Sequence, residues 1–288
     1  MTQTKDATKT TMPRPAPVAC EQILQHLRTL GVLIPEDQLD DALRQAEQCG
    51  WSHLELLDRL FGCLAGQKRE RMIQRRIRDA RFAENKTLES FDWKFNAQAI
   101  DRSEMEELAT GDFIRRGDKL LMVGQSGIGK SHLLEGIGRC ACLQGYRVRY
   151  IKSDALLADL GASLADGTTV KRIRYFARPD LLIIDGFGFD RIEREQSPQG
   201  LSLLYKVIEK RGPRRSTALI TNIDFDTWND YLEDSPLVMA LIDRLFEKAI
   251  IKRFPRAKSY RAHQARTSSS PNGRPQTSQK EPGQSNNG

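Results

Sequence analysis

The sequence predicts an α/β domain built on a central parallel sheet and preceded by a small all-helical domain. From about Phe113 onward, short unbroken apolar runs alternate with helix-length stretches, as expected of strands buried on both faces and joined by crossover helices. A glycine-rich loop of fixed spacing stands directly between the first of those runs and the first helical stretch. Between Cys20 and about Phe82, by contrast, apolar residues recur at helical spacing.

Taken in order, residues 1–18 combine Thr, Lys and three prolines without periodic apolar positions and read as a disordered arm. Residues 19–85 read as a small helical domain. After Pro35, one helix carries Leu39, Ala42, Leu43 and Ala46 and stops at Gly50. Ser52 and Glu55 form a capping box that opens a second helix, with Leu54, Leu57, Leu60, Phe61 and Leu64 on one face. A third helix carries a basic run, packed through Met72, Ile73, Ile77 and Ala80. Residues 86–112 form a connector through Thr87, Phe91 and Trp93. Residues 113–261 form the α/β domain, with strands expected at Leu120–Val123, Val148–Ile151, Leu181–Ile184, Ala218–Ile220 and Ala249–Ile251. Residues 262–288, rich in Ser, Gln, Asn, Pro and Gly with scattered Arg and Lys, read as a disordered basic tail. There is no internal repeat.

Composition narrows the function. At 39% hydrophobic and 29% charged residues the chain can bury a core, and no apolar run approaches the roughly 18 residues of a membrane span. The N-terminus lacks the apolar core of a secretory signal, so a cytoplasmic protein is expected. Five cysteines without paired C-x-x-C spacing read as reduced thiols that mostly serve packing. The net charge of +7 suits a polyanionic partner. It is concentrated at Lys68, Arg69, Arg71, Arg75, Arg76, Arg78 and Arg81, against only Glu70 and Asp79, and a smaller cluster follows at Lys171, Arg172 and Arg174. Either a solvated helix face or a DNA-contacting one accounts for such runs.

The sharpest signal is Gly124-Gln125-Ser126-Gly127-Ile128-Gly129-Lys130-Ser131, a complete G-x-x-x-x-G-K-[ST] loop after an apolar run and before a helical pattern. Glycines let successive backbone N–H groups turn toward phosphate oxygens, and the helix N-terminus adds partial positive charge. Lys130 is then expected to bridge the β- and γ-phosphates of ATP, and Ser131 to ligate Mg²⁺. Leu181-Leu182-Ile183-Ile184-Asp185 supplies an apolar strand ending in a carboxylate, placed to hold the Mg²⁺ hydration shell. Asn222 ends another strand, as a group for the γ-phosphate or as a plain turn residue. His132 is read as a helix residue beside the loop, and Trp93 and Trp228 as core.

These residues resemble the IstB-like helper ATPases of bacterial insertion-sequence transposition, relatives of DnaC-type helicase loaders in the AAA+ superfamily. Besides both phosphate motifs, the likeness includes Arg78 to Phe82, Lys86 to Leu88, Phe91-Asp92, Gly145 to Val148, Ala177 to Asp185, Thr221-Asn222, Trp228, Asp243 to Leu245 and Ser259-Tyr260-Arg261. The resemblance implies an AAA+ ATP-binding domain, a sensor role for Asn222, and an arginine finger at Arg244 that reaches a neighbouring subunit's nucleotide. It implies a homo-oligomer on double-stranded DNA that presents the target to a transposase encoded nearby, with the helical domain engaging DNA and transposase. A replicative helicase loader uses the same site with a helicase as partner, whereas a small-molecule kinase would need an acceptor pocket that nothing in the sequence marks. One departure stands out. Where the family places a second acidic residue, this chain has Gly186, so either hydrolysis is slow, leaving a nucleotide-gated DNA-binding switch, or Asp190 or Glu193 substitutes.

Overall fold

The computed structural model describes residues 17–187, 199–224 and 236–268. Asp190, Glu193 and Trp228 lie outside the described residues. The chain divides into two compact units, residues 1–75 and 76–288.

The first unit contains α1 (Pro17–Thr29), α2 (Glu36–Cys49) and most of α3 (His53–Ala80). Gly50, at φ 65°, ends α2 as expected. The capping box also forms: the Ser52 N–H donates to Glu55 Oε2 at 2.7 Å and the Glu55 N–H to Ser52 Oγ at 3.3 Å. The Ser52 backbone N–H first, and then the Ser52 hydroxyl, which donates to the same oxygen at 2.9 Å, lower the Glu55 pKa.

Two expectations fail here. The capping-box helix and the basic helix are one unbroken helix of 28 residues, α3. Only Ala65, Gly66 and Gln67 separate the two patterns, and a mid-helix glycine costs about 1 kcal/mol, too little to break a helix supported on both sides. Nor is the packing stripe expected of the basic helix, Met72, Ile73, Ile77 and Ala80, wholly buried. Leu60 and Leu64 join a core with Leu24, Ile34 and Leu39, while Leu54, Leu57, Phe61 and, further on, Met72 are exposed. A domain with so few elements buries only a narrow stripe of a long helix.

The second unit is a layered α/β domain. After α3 come α4 (Arg102–Ala109), within the segment read as a connector, and α5 (Asp112–Arg116). The strands are β1 (Lys119–Val123), β2 (Val148–Lys152), β3 (Leu181–Asp185), β4 (Ser216–Thr221) and β5 (Ala249–Arg253). They form one parallel sheet in the order β2-β3-β4-β1-β5. Between or after them lie α6 (Lys130–Leu143), α7 (Ser153–Ala165), α8 (Thr169–Ala177), α9 (Gly200–Arg211), α10 (Pro236–Phe246) and α11 (Tyr260–Ser268). Helix α11 occupies the start of the segment read as a tail.

Alternation along the strands sorts the core into two layers. Leu120, Met122, Leu181, Ile183, Ala218 and Ile220 face α4 and α6, whereas Leu121, Leu182, Ile184 and Leu219 face α7 to α10. β1 and β4 are buried throughout, but β5, at the sheet's edge, is half-exposed, unlike the two-sided burial its apolarity suggests.

Where β3 and β4 begin, Arg211 is 4% exposed. Its guanidinium donates to Thr217 Oγ1 (3.0 Å) and to the carbonyls of Phe176 (3.1 Å), Pro179 (3.0 Å), Asp180 (3.4 Å) and Ser216. One side chain therefore ties the end of α8 to the starts of two strands.

Candidate functional site

All five strands point their carboxyl ends to one side, which is where ligands bind in open parallel sheets. The loop after β1 shapes the site. Gly127 (φ 82°) and Gly129 (φ 104°) adopt the left-handed conformation that side chains disfavour. A Cβ on Gly129 would lie 2.6 Å from Phe91, and one on Gly127 would strike Ser259, so the connector and the C-terminal segment close directly on the loop. The Tyr260 N–H also donates to the Gly127 carbonyl at 2.9 Å. α6 starts at Lys130, with its first amides directed at the space the loop encloses.

That space is a cavity of about 700 Å³. Ser126, Gly127, Ile128, Gly129, Lys130 and Ser131 line it together with Asp185, Gly186 and Asn222. Gly124 and Gln125 stand behind it, and their carbonyls accept hydrogen bonds from Lys130 Nζ, at 2.8 Å for Gln125. Asn222 Oδ1 accepts a third, at 2.7 Å. Lys130 is buried, and among the described residues no carboxylate bonds to it. Burial therefore pulls its pKa down to about 8, the charge of Arg261 pulling the same way and that of Asp185 opposing. Asp185, at the end of β3, accepts a hydrogen bond from the Tyr150 hydroxyl on β2.

The Ser131 hydroxyl and the Asp185 carboxylate are hard oxygen donors lining the cavity, which fits Mg²⁺. Among the described residues no cluster of three or more His, Cys, Asp or Glu could hold a metal alone, so phosphate oxygens and water would complete the shell, as Mg²⁺ prefers.

Gly186 turns the chain sharply at φ 85°, after which the Phe187 N–H donates to the Ile220 carbonyl at 2.9 Å. His132 lies beside the loop, with Nε2 2.9 Å from the Thr87 carbonyl and 3.1 Å from Ser90 Oγ, and burial lowers its pKa. Trp93 is half-buried and donates to the Leu88 carbonyl at 3.0 Å.

Arg244 is not part of this cavity. It lies exposed on α10, 3.6 Å from Glu247. Lys171, Arg172 and Arg174 are exposed on α8, with Arg172 paired to Asp159 at 2.8 Å and stacked over Tyr175. Along α3, Lys68, Arg69, Arg71, Arg75 and Arg78 are exposed, as is Arg81 just beyond it, whereas Arg76 is half-buried.

Arg261, Phe91 and His132 line the cavity without having had a role there in the sequence reading. Arg261 stood only within the string Ser259-Tyr260-Arg261, and its place opposite Lys130 depends on how α11 returns to the loop. Tyr150, behind Asp185, had no local signal at all.

The IstB-like ATP binding protein family matches residues 27–268. The insertion sequence IS5376 ATP-binding protein of Geobacillus stearothermophilus is 31% identical over 247 residues, covering 85% of this chain and 96% of that protein. The corresponding IS21 protein of Pseudomonas aeruginosa is 30% identical over 217 residues, covering 74% and 80%. Among solved structures, the DnaC helicase loader superposes with a TM-score of 0.51 at 19% identity, over 61% of this chain and 99% of that one. AMPPCP-bound DnaA from Aquifex aeolicus gives 0.50 at 20% identity, over 65% and 56%. Those two likenesses speak to the AAA+ fold alone. No described helix is long and apolar enough to cross a membrane. With the phosphate loop, the parallel sheet and a match over most of its length, the chain belongs to the IstB-like ATP-binding proteins of insertion sequences.

Proposed function

We propose that this protein is an ATP-dependent DNA-binding helper of transposition, which oligomerises on target DNA in the ATP state and presents it to a transposase. The observation that carries the reading is the convergence of Lys130, Ser131, Asp185 and Asn222 on one cavity while Arg244 stands exposed outside it. Lys130 and the loop amides would bind the phosphates. Ser131 and Asp185 would hold Mg²⁺, which neutralises phosphate charge when bound. An arginine outside its own site is what a finger acting on a neighbour's nucleotide requires, so ATP would close a subunit interface and hydrolysis would release it.

The exposed cations of α3 favour duplex contact. Lys68, Arg71, Arg75 and Arg78 fall within about 80° of one another at 100° per residue, opposite Ile73, Ile77 and Ala80. If they track a phosphate backbone, replacing Arg71, Arg75 and Arg78 by Ala should flatten the log affinity against log salt slope by about 2.7 and leave ATP binding unaltered. An unchanged slope would remove α3 from the DNA interface and shift attention to Lys171, Arg172 and Arg174.

A second reading, a nucleotide-gated switch with little turnover, is favoured by Gly186. Among the described residues, the other carboxylates lining the cavity are Glu84, Asp92 and Asp154, and Glu84 is already paired with Lys86 at 2.7 Å. Single-turnover hydrolysis with DNA present separates the two readings.

A further inference from the structure

Tyr150 lies 5% exposed in the core layer beneath α6. A position needing only bulk would take Phe, because a buried hydroxyl is costly unless it finds a hydrogen-bond partner. The partner is Asp185 Oδ2. Register explains the contact: Tyr150 pairs with Ile183 on β3, and Asp185 is two residues further on the same face, within diagonal reach of an aromatic side chain. The ring itself is held 6.3 Å from that of Phe82. The carboxylate at the end of β3 thus has one oxygen tied from behind.

We propose that Tyr150 is a positioning residue of the nucleotide site: its hydroxyl holds one oxygen of Asp185 and so fixes which oxygen faces the Mg²⁺ of a bound nucleotide. The proposal rests on the ATP and Mg²⁺ reading above. A carboxylate beside a glycine has no acidic neighbour to share its orientation, and Gly186 leaves Asp185 in that situation. Outer partners of metal-binding groups commonly contribute 10–100-fold to metal affinity by removing the wrong rotamers.

The test is the titration of a fluorescent ATP analogue into the full chain, in EDTA and across Mg²⁺ concentrations. Tyr150→Phe should bind as the parent does in EDTA, yet need about tenfold more Mg²⁺ to reach half of the Mg²⁺-dependent tightening. Tyr150→Met, a second variant without the hydroxyl, should show the same shift. In an Asp185→Asn background Tyr150→Phe should add nothing. Equal Mg²⁺ midpoints in parent and Tyr150→Phe would overturn the proposal, as would a loss of affinity that is the same with and without Mg²⁺, which marks packing. A parent whose nucleotide affinity ignores Mg²⁺ would instead overturn the metal reading on which the proposal stands.

Discussion

Two buried cations sit at opposite ends of the same sheet. Arg211 lies where β3 and β4 begin, and Lys130 lies beyond the carboxyl ends. Each bonds mainly to backbone carbonyls, neither bonds to a carboxylate among the described residues, and burial lowers the pKa of both. They differ in what surrounds them. Arg211 is walled in by the ends of α8, β3 and β4, so its bonds cannot be exchanged for others. Lys130 borders a cavity, and an incoming phosphate can replace the carbonyls. On the proposed reading, the same chemistry serves as a staple at one end of the sheet and as a ligand-binding charge at the other.

The largest expected effect breaks the staple. Arg211→Met leaves several buried carbonyls without donors and should lower unfolding free energy by about 3 to 5 kcal/mol, read from the denaturant midpoint. A variant as stable as the parent would show that the contrast between the two cations is false. Lys130→Ala should do the reverse. ATP affinity should fall by about 10- to 100-fold, the worth of a charge-assisted hydrogen bond, while the melting temperature holds or rises slightly.

Proton linkage sharpens the comparison. Lys130 has its pKa at about 8 in the folded protein and higher when unfolded, so its burial opposes folding fully below pH 8, and that opposition shrinks steadily as pH rises from 8 toward the unfolded value. Phosphate binding needs the charged form. Between pH 7 and pH 9 ATP affinity should therefore drop about tenfold, with no such drop in Lys130→Ala. Equal pH profiles for parent and variant would detach the effect from Lys130. The smallest effect concerns Gly186, where Glu in a left-handed conformation should cost about 1 to 2 kcal/mol of stability and leave single-turnover hydrolysis no faster. Faster hydrolysis would mean that the turn relaxes to accept a side chain.

The strands and the phosphate loop were legible because their signals are local: unbroken apolar runs, and a motif whose glycines and lysine serve one loop. Asp185 was legible because it ends such a run. Arg261, Phe91 and Tyr150 were not, since each acquires its place through segments brought together from distant parts of the chain. The fusion of two expected helices into α3 was missed for the opposite reason. Two good local patterns adjoined with only Ala65, Gly66 and Gln67 between them, and the sequence marks where a helix can start more clearly than where one must stop.

The turn at Gly186 also bears on how this chain can change over generations. At φ 85° almost any replacement strains the backbone before its side chain can contribute. A single substitution that restores an acidic group next to Asp185 would thus arrive with a handicap, and only a lineage that had first reshaped the turn could profit from it. On the proposed reading the glycine would work as a ratchet, and selection for hydrolysis would find shorter routes through the carboxylates elsewhere around the cavity.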